Sequence, residues 1–403
     1  MNNVIAGRYT RRKIQGGFAA GSAKQSQGMV LLLVLVFSQL CLAGVSPRSQ
    51  LLFRRLTGVP LLATDTRAKG FDDLVQAGKL KEAAAIATAD KNFLAVTVRD
   101  WAAPFSNRDE SPVVELDDLQ ALFIGVVRDN LDARLLLTGT FRYEGAPNLG
   151  LTAVGTNNNK HYIELAAGRV DYNTSLVKKE PQWPVEMGSS GALTTRSWAT
   201  AHFDAGTNRR PTEYAIKEFL CTPKEKWKDA GLPDMRVRQD VDRKPEGDPN
   251  MYLMECRSCH AGLDGLSGAF ASYDYVNGNL SYYGSMRVAP KMYQNGDVYP
   301  RGYRTTDDSW VNLLTQHHNE SFGWRGALDG MGLNEFGKML SNSKAFSECM
   351  VQRVFKTVCR RTMTMEEKQS HLSKMASQFE ADGYKLKNLF EEVATQPLCL
   401  GEI

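Results

Sequence analysis

The chain has 403 residues, 42% of them hydrophobic and 23% charged, with a formal net charge of +4. That length allows two or three domains around a sizeable core, and the composition is that of an ordinary folded soluble protein. So small a charge on so long a chain gives no reason to expect nucleic acid as a partner.

No acidic residue occurs before Asp65, whereas Arg8, Arg11, Arg12, Lys13 and Lys24 precede the apolar run "MVLLLVLVFSQLCLAG" from Met29 to Gly44. A basic leader, a short apolar stretch and a small-residue exit after Ala43 make a Sec-type signal peptide over 1–43. Ser38 and Gln39 interrupt the run, and a spanning helix needs roughly 20 apolar residues. The expectation is export, most simply to a bacterial periplasm, with no stable transmembrane span after cleavage. An uncleaved signal would instead leave the chain anchored. Cys41 lacks the small preceding residues that lipid attachment prefers, and "TRRKI" lies too far from the run for a twin-arginine signal.

Beyond the leader, the organisation expected is a helical part over 44–180, a segment over 181–315 and a helical domain over 316–403. "FDDLVQAGKLKEAAAIATADKNFLAVTVRDWAAPF" and "ELDDLQALFIGVVRDNLDARLLLTGTF" carry apolar residues at helical spacing. The paired acids of "LDDL" and of "MEEK" stand at helix starts, where they favour the dipole. Residues 146–198 are rich in Gly, Asn and Thr and read as loops around a short helix, "NKHYIELAAGRV". "RPTEYAIKEFLCTP" is a further helix ending by Pro223. Asn277-Gly278 within "YDYVNGNLSYY" marks a short hairpin. From Leu333 the chain is helical again, with Phe346, Met350, Val354 and Val358 on one face, and Thr364 with Glu367 as a capping box.

The most informative stretch is "MECRSCHAG", residues 254–262. Cys256, Cys259 and His260 admit covalent haem, half a zinc site or a redox dithiol. Zinc needs four ligands, and neither a second CxxC nor a suitably spaced histidine pair is present; His317 and His318 are adjacent. A thioredoxin-like dithiol sits between a strand and a helix, whereas a polar loop, "VDRKPEGDPNMYLME", leads into this motif. Haem accounts for every fixed position. Two thiols on one helical turn add across the two vinyl groups of haem c, and His260 supplies the proximal iron ligand. Export agrees, because such attachment occurs outside the cytoplasm.

The chain has seven cysteines. Removing Cys41 with the signal and two with the haem leaves Cys221, Cys349, Cys359 and Cys399, an even number for an oxidising compartment. Cys349 and Cys359 lie ten residues apart on one expected helix, roughly 15 Å, well beyond the ~7 Å reach of a disulfide. They are therefore expected to pair with Cys221 and Cys399 in some order, stapling the C-terminal helices to each other and to the middle of the chain.

Several stretches together resemble the planctomycete-type cytochrome c-like proteins, linked domains of unknown function also found in predatory and myxobacterial bacteria. "FRRLTGVPL" is similar to their Arg-Leu-Thr-Gly opening, "DNLDARLLLTGTFRYEG" to the segment after it, and "GALTTRSWATAHFDAGTNRRPTEYAIKEFLCTP" to the approach to the haem. "CRSCHAGLDGLSGAFASYDY" resembles the haem segment, and "GKMLSNSKAFSECMVQRVFKTVCRRTMTMEEK" the C-terminal domain. Many relatives carry methionine where this chain has Leu263. The resemblance covers nearly the whole mature chain and implies a secreted haem protein. The fold expected is mainly α: a helical N-terminal part, a cytochrome c-like haem segment with irregular loops and a short β-hairpin, and a C-terminal helical bundle.

For the position opposite His260 the candidates are Met331, in the glycine-flanked "LDGMGLNEF", then Met292 and Met286. His202, His317 and His318 are also candidates, as is a vacant or water-bound site. His161 and His371 read as surface or hydrogen-bonded residues. Tyr273, Tyr275, Tyr282 and Tyr283 either wall the haem or pack the hairpin. Three functions follow: periplasmic electron transfer to a redox partner protein, a haem enzyme acting on peroxide or a partner, and an envelope binding or assembly protein with structural or sensory haem. A simple carrier often needs only ~100 residues, a single-domain length, so the size of this chain keeps the second and third in play.

Overall fold

The structure, a computed structural model, describes residues 44–401 except 183, 184, 186, 204 and 205. The signal peptide expected over 1–43 lies outside the described residues. Helices dominate, and among the described residues strands occur as three two-stranded antiparallel sheets. The mainly α class expected from the sequence holds.

The first helices are α1 (Pro47–Thr57), α2 (Ala68–Gln76) and α3 (Leu80–Thr88). The Ser46 hydroxyl accepts from Ser49 N–H to open α1, and Gly58, left-handed at φ 75°, closes it. Helix α4 (Asp118–Arg128) begins at Asp117, whose carboxylate accepts from Gln120 N–H at 2.7 Å. Asp118 reaches across to α6 (Arg196–His202), accepting from Arg196 N–H at 2.6 Å and Ser197 N–H at 3.1 Å. The "LDDL" acids thus cap two helices. Between them lies α5 (Lys160–Ala167), the short helix expected among the loops.

Helix α7 (Arg209–Leu220) and helix α8 (Arg257–Leu266), which carries the cysteine motif, pack on each other. They are followed by α9 (Gly332–Asn342), α10 (Lys344–Cys359), α11 (Ser373–Ala381) and α12 (Leu386–Thr395). Helix α10 is the hub, packing on α7, α11 and α12, while α12 returns to α1, α3 and α4. Phe346, Met350, Val354 and Val358 are all buried on it. The Thr364–Glu367 capping box is present. From Val45 onward the chain is one compact unit with a continuous apolar core, so the N-terminal and C-terminal helices share their interior.

Two disulfides pin that interior. Cys221, just past α7, is bonded to Cys349 on α10, with Cα atoms 5.2 Å apart. Cys359, at the end of α10, is bonded to Cys399, with Cα atoms 4.9 Å apart. Each cysteine of α10 takes a different partner.

The three sheets are β1 (Arg142–Gly145) with β2 (Leu176–Lys179), β3 (Tyr273–Val276) with β4 (Asn279–Tyr282), and β5 (Ser309–Val311) with β6 (Asp329–Met331). Asn277 and Gly278 turn the β3–β4 hairpin at φ 51° and 81°, the double left-handed turn expected of that dipeptide. The other two sheets have strands of three or four residues within loops, too short to carry an alternating pattern.

Candidate functional site

The site is built on one helix and the strap beside it. The chain reaches α8 through a wide turn of π-helix over Tyr252–Cys256. Cys256, Cys259 and His260 follow at spacings of three and four residues, which place them on one helical face. Cys256 and Cys259 are half-buried free thiols. Burial, with Glu255 and Cys259 adding, pushes the Cys256 thiol up. That is opposite to the lowered thiol of a dithiol oxidoreductase, and the helical context also lacks the strand such a motif follows.

Behind this face, α8 is made of small residues so that it can lie close to its neighbours. A Cβ on Gly262 would stand 2.6 Å from Leu314 Cδ2, one on Gly265 2.7 Å from the Val311 carbonyl, and one on Gly268 1.9 Å from the Ser309 carbonyl. A glycine at every third residue lets the helix and its continuation rest on the backbone of β5. That spacing is legible in "HAGLDGLSG" and was missed as a packing signal.

His260 is part-exposed, its side chain 27% accessible, and its Nδ1 lies 3.1 Å from Asp264 Oδ1 one turn onward. Asp264 is fully buried and accepts from Arg209 Nε at 2.5 Å, Arg209 Nη2 at 2.9 Å and the Arg238 backbone N–H at 2.9 Å. Burial by itself would raise its carboxyl. The charge and hydrogen bonds of Arg209, with His260 and Arg238, outweigh burial and hold it well below the ordinary range. An ionised acceptor at Nδ1 assigns the ring proton to Nδ1. Nε2, on the other side of the ring, makes no hydrogen bond to a described residue. The sequence reading missed Asp264 and Arg209, which lie 55 residues apart in the chain.

The strap over residues 234–238 borders the same helix. Asp234 bonds Arg257 Nε at 3.0 Å, and Arg238 holds Asp264 through its backbone. Arg238 is buried, and among the described residues its Nε and Nη2 have no hydrogen-bond partner. Burial, then the charge of Arg209, lowers it to about 10. Met235 on the strap and Leu253 and Met254 before the motif are apolar yet 63%, 48% and 76% exposed.

The residues considered for the position opposite His260 have the following surroundings. Met331 pairs with Ser309 on β5, whose carbonyl is the close neighbour of Gly268. Met292 packs with Ala271 and Ala289, and exposed Met286 bonds Asp308 through its N–H. His317 is tied to Asp229 at 2.9 Å, and the Asp229 N–H donates to the Ser258 carbonyl at 2.8 Å. Asp229 thus links His317 to the backbone of α8; His317 and its neighbour His318 are exposed. His202 is buried between Trp198 and Tyr214 with Nε2 facing the Phe105 carbonyl. His161 joins Gly145 N–H to the Thr152 carbonyl, a structural role, and His371 is exposed.

Two of the four tyrosines pack on each other across the hairpin, and Tyr283 is exposed. Tyr273 and Tyr282 stack with ring centres 4.9 Å apart, Tyr273 donates to the Gly188 carbonyl, and Tyr275 meets Thr200 at 2.7 Å.

Among the described residues no group of three or more His, Cys, Asp or Glu side chains is set to hold an ion. No described helix is long and apolar enough to cross a membrane. The chain matches no family model, no curated protein and no solved structure.

Proposed function

We propose that this chain is an exported monohaem c-type cytochrome of the planctomycete-type cytochrome c-like family, serving periplasmic electron transfer with a redox partner protein. The observation that carries the reading is the pair of free thiols. Cys256 and Cys259 stay unbridged on one helical face beside His260, while Cys221, Cys349, Cys359 and Cys399 are all bonded. Haem c, when bound, supplies a one-electron iron couple.

The residues fit such a group. Cys256 and Cys259 would form the two thioethers, and His260 Nε2 would meet the iron. Exposed Met235, Leu253 and Met254 offer apolar surface for a porphyrin to cover, and such an apolar shell tunes potential and excludes water.

A haem enzyme acting on peroxide or a partner, with an open sixth position, is the second reading. It is favoured by the length of the chain, 403 residues, well beyond the ~100 of a single-domain carrier. A thioether opposite His260 suits electron transfer, and an open position suits chemistry on small oxygen species.

The test is to produce the exported chain with haem-attachment machinery, denature it, and record its mass and pyridine-haemochrome spectrum. Covalent haem is expected in the unaltered chain and none after Cys256→Ser with Cys259→Ser. Haem lost on denaturation overturns the proposal. A five-coordinate ferric form that binds cyanide selects the enzyme; a six-coordinate form with a thioether band selects the carrier.

A further inference from the structure

His260 ends on a buried carboxylate, and that carboxylate is held from every side. Asp264 Oδ1 receives His260 Nδ1 at 3.1 Å and Arg209 Nε at 2.5 Å, while Oδ2 receives Arg209 Nη2 and the Arg238 N–H, both at 2.9 Å. Arg209 is itself clamped by Asp240, through Nη2 to Oδ1 at 2.7 Å and Nη1 to Oδ2 at 2.9 Å, and Nη1 meets Thr207 Oγ1 at 2.9 Å. With two donors on each oxygen, Asp264 has no room to rotate away from the imidazole.

We propose that Asp264 is the positioning residue of the proximal ligand, fixing the Nδ1–H tautomer of His260 and lowering the reduction potential of the haem through that hydrogen bond. The inference rests on the haem reading above. A carboxylate on the outer nitrogen of a metal-bound histidine orients the ring and raises its basicity. Hydrogen bonds to an ionised acceptor are roughly twice as strong as neutral ones. A more basic imidazole favours the ferric iron over the ferrous, because the higher charge gains more from the added electron density.

The surrounding charges make this a local effect. Asp240, Arg209 and Asp264 together carry one negative charge, and Arg238, whose Nη1 turns to the Thr207 carbonyl at 2.6 Å, balances it. A shift in potential on changing Asp264 therefore reports the bond to His260 when an equal loss of charge at Asp240 leaves the potential in place.

The haem-loaded exported chain, its Asp264→Asn variant and its Asp240→Asn variant are to be titrated spectroelectrochemically. At fixed ambient potential Asp264→Asn is expected to shift the reduced-to-oxidised ratio at least tenfold toward reduced, about 59 mV for a one-electron couple. Asp240→Asn is expected to shift it less than threefold. A shift below threefold in Asp264→Asn, or an equal shift in both variants, overturns the inference. Should Asp264→Asn fail to fold, the unaltered ferrous protein carries the test after flash photolysis of carbon monoxide. Its iron–histidine stretch is expected above that of a haem peptide bound to free imidazole, and an equal frequency overturns the inference. Covalent haem with an unmoved potential sinks this inference alone; a chain that holds no covalent haem sinks the haem reading and this inference together.

Discussion

The α8 motif and the helical core use the same residue types in opposite ways. In the core, every described cysteine is spent in a disulfide, and His202 is sealed among Trp198, Tyr214 and Phe105. On α8, two thiols are free and part-exposed, and an imidazole has one nitrogen fixed and the other available. The difference teaches that reactivity here is set by what surrounds a side chain. The core bonds its cysteines and seals His202 away from solvent, whereas the motif keeps its two thiols and its imidazole part-exposed.

The largest expected effect tests the core histidine. Burial lowers His202 from 6.5 to about 3, so the fold prefers its neutral form. That contribution is fully present above pH 6.5 and is lost as pH falls toward 3, on the order of 5 kcal/mol over the window. Thermal melts of the chain across that range should show the loss, and His202→Phe should flatten it. An unchanged slope would break the contrast.

Next comes the staple. Cys349→Ala opens a bridge between residues 128 apart and should cost roughly 3–5 kcal/mol in denaturant unfolding. Cys256→Ser in the haem-free chain should stay within about 1 kcal/mol. Equal losses would mean that the two sets of cysteines are not used differently.

Smaller is Gly268→Ala, which sets a methyl against the Ser309 carbonyl and should cost about 2–3 kcal/mol by equilibrium unfolding. Its role is to seat the motif helix on β5, so it sharpens the boundary between the two regions. Smallest is Thr364→Ala, which removes a capping box remote from both and should cost about 1 kcal/mol. The haem spectrum should not change.

Much of this was legible in the residues. Helical spacing announced α10 and its buried face, Asn277-Gly278 announced the hairpin turn, and Thr364 with Glu367 announced a cap. These are local effects, encoded within a few residues of where they act. The distance between Cys349 and Cys359 along one helix also forbade their pairing with each other. It did not say which takes Cys221, because that depends on how α7 lies against α10.

The site divides the same way. The sequence by itself determined Cys256, Cys259 and His260 as a set, since their relation is fixed within one helical turn. Only the tertiary structure decided what stands behind His260. Asp264 becomes a fixed acceptor because α7 brings Arg209 from 55 residues away and the 234–238 strap brings Arg238. Tertiary packing likewise set the partners of Met331, Met292, Met286 and His317. A ligand's position across a ring is a matter of how distant segments pack, and no local periodicity records it.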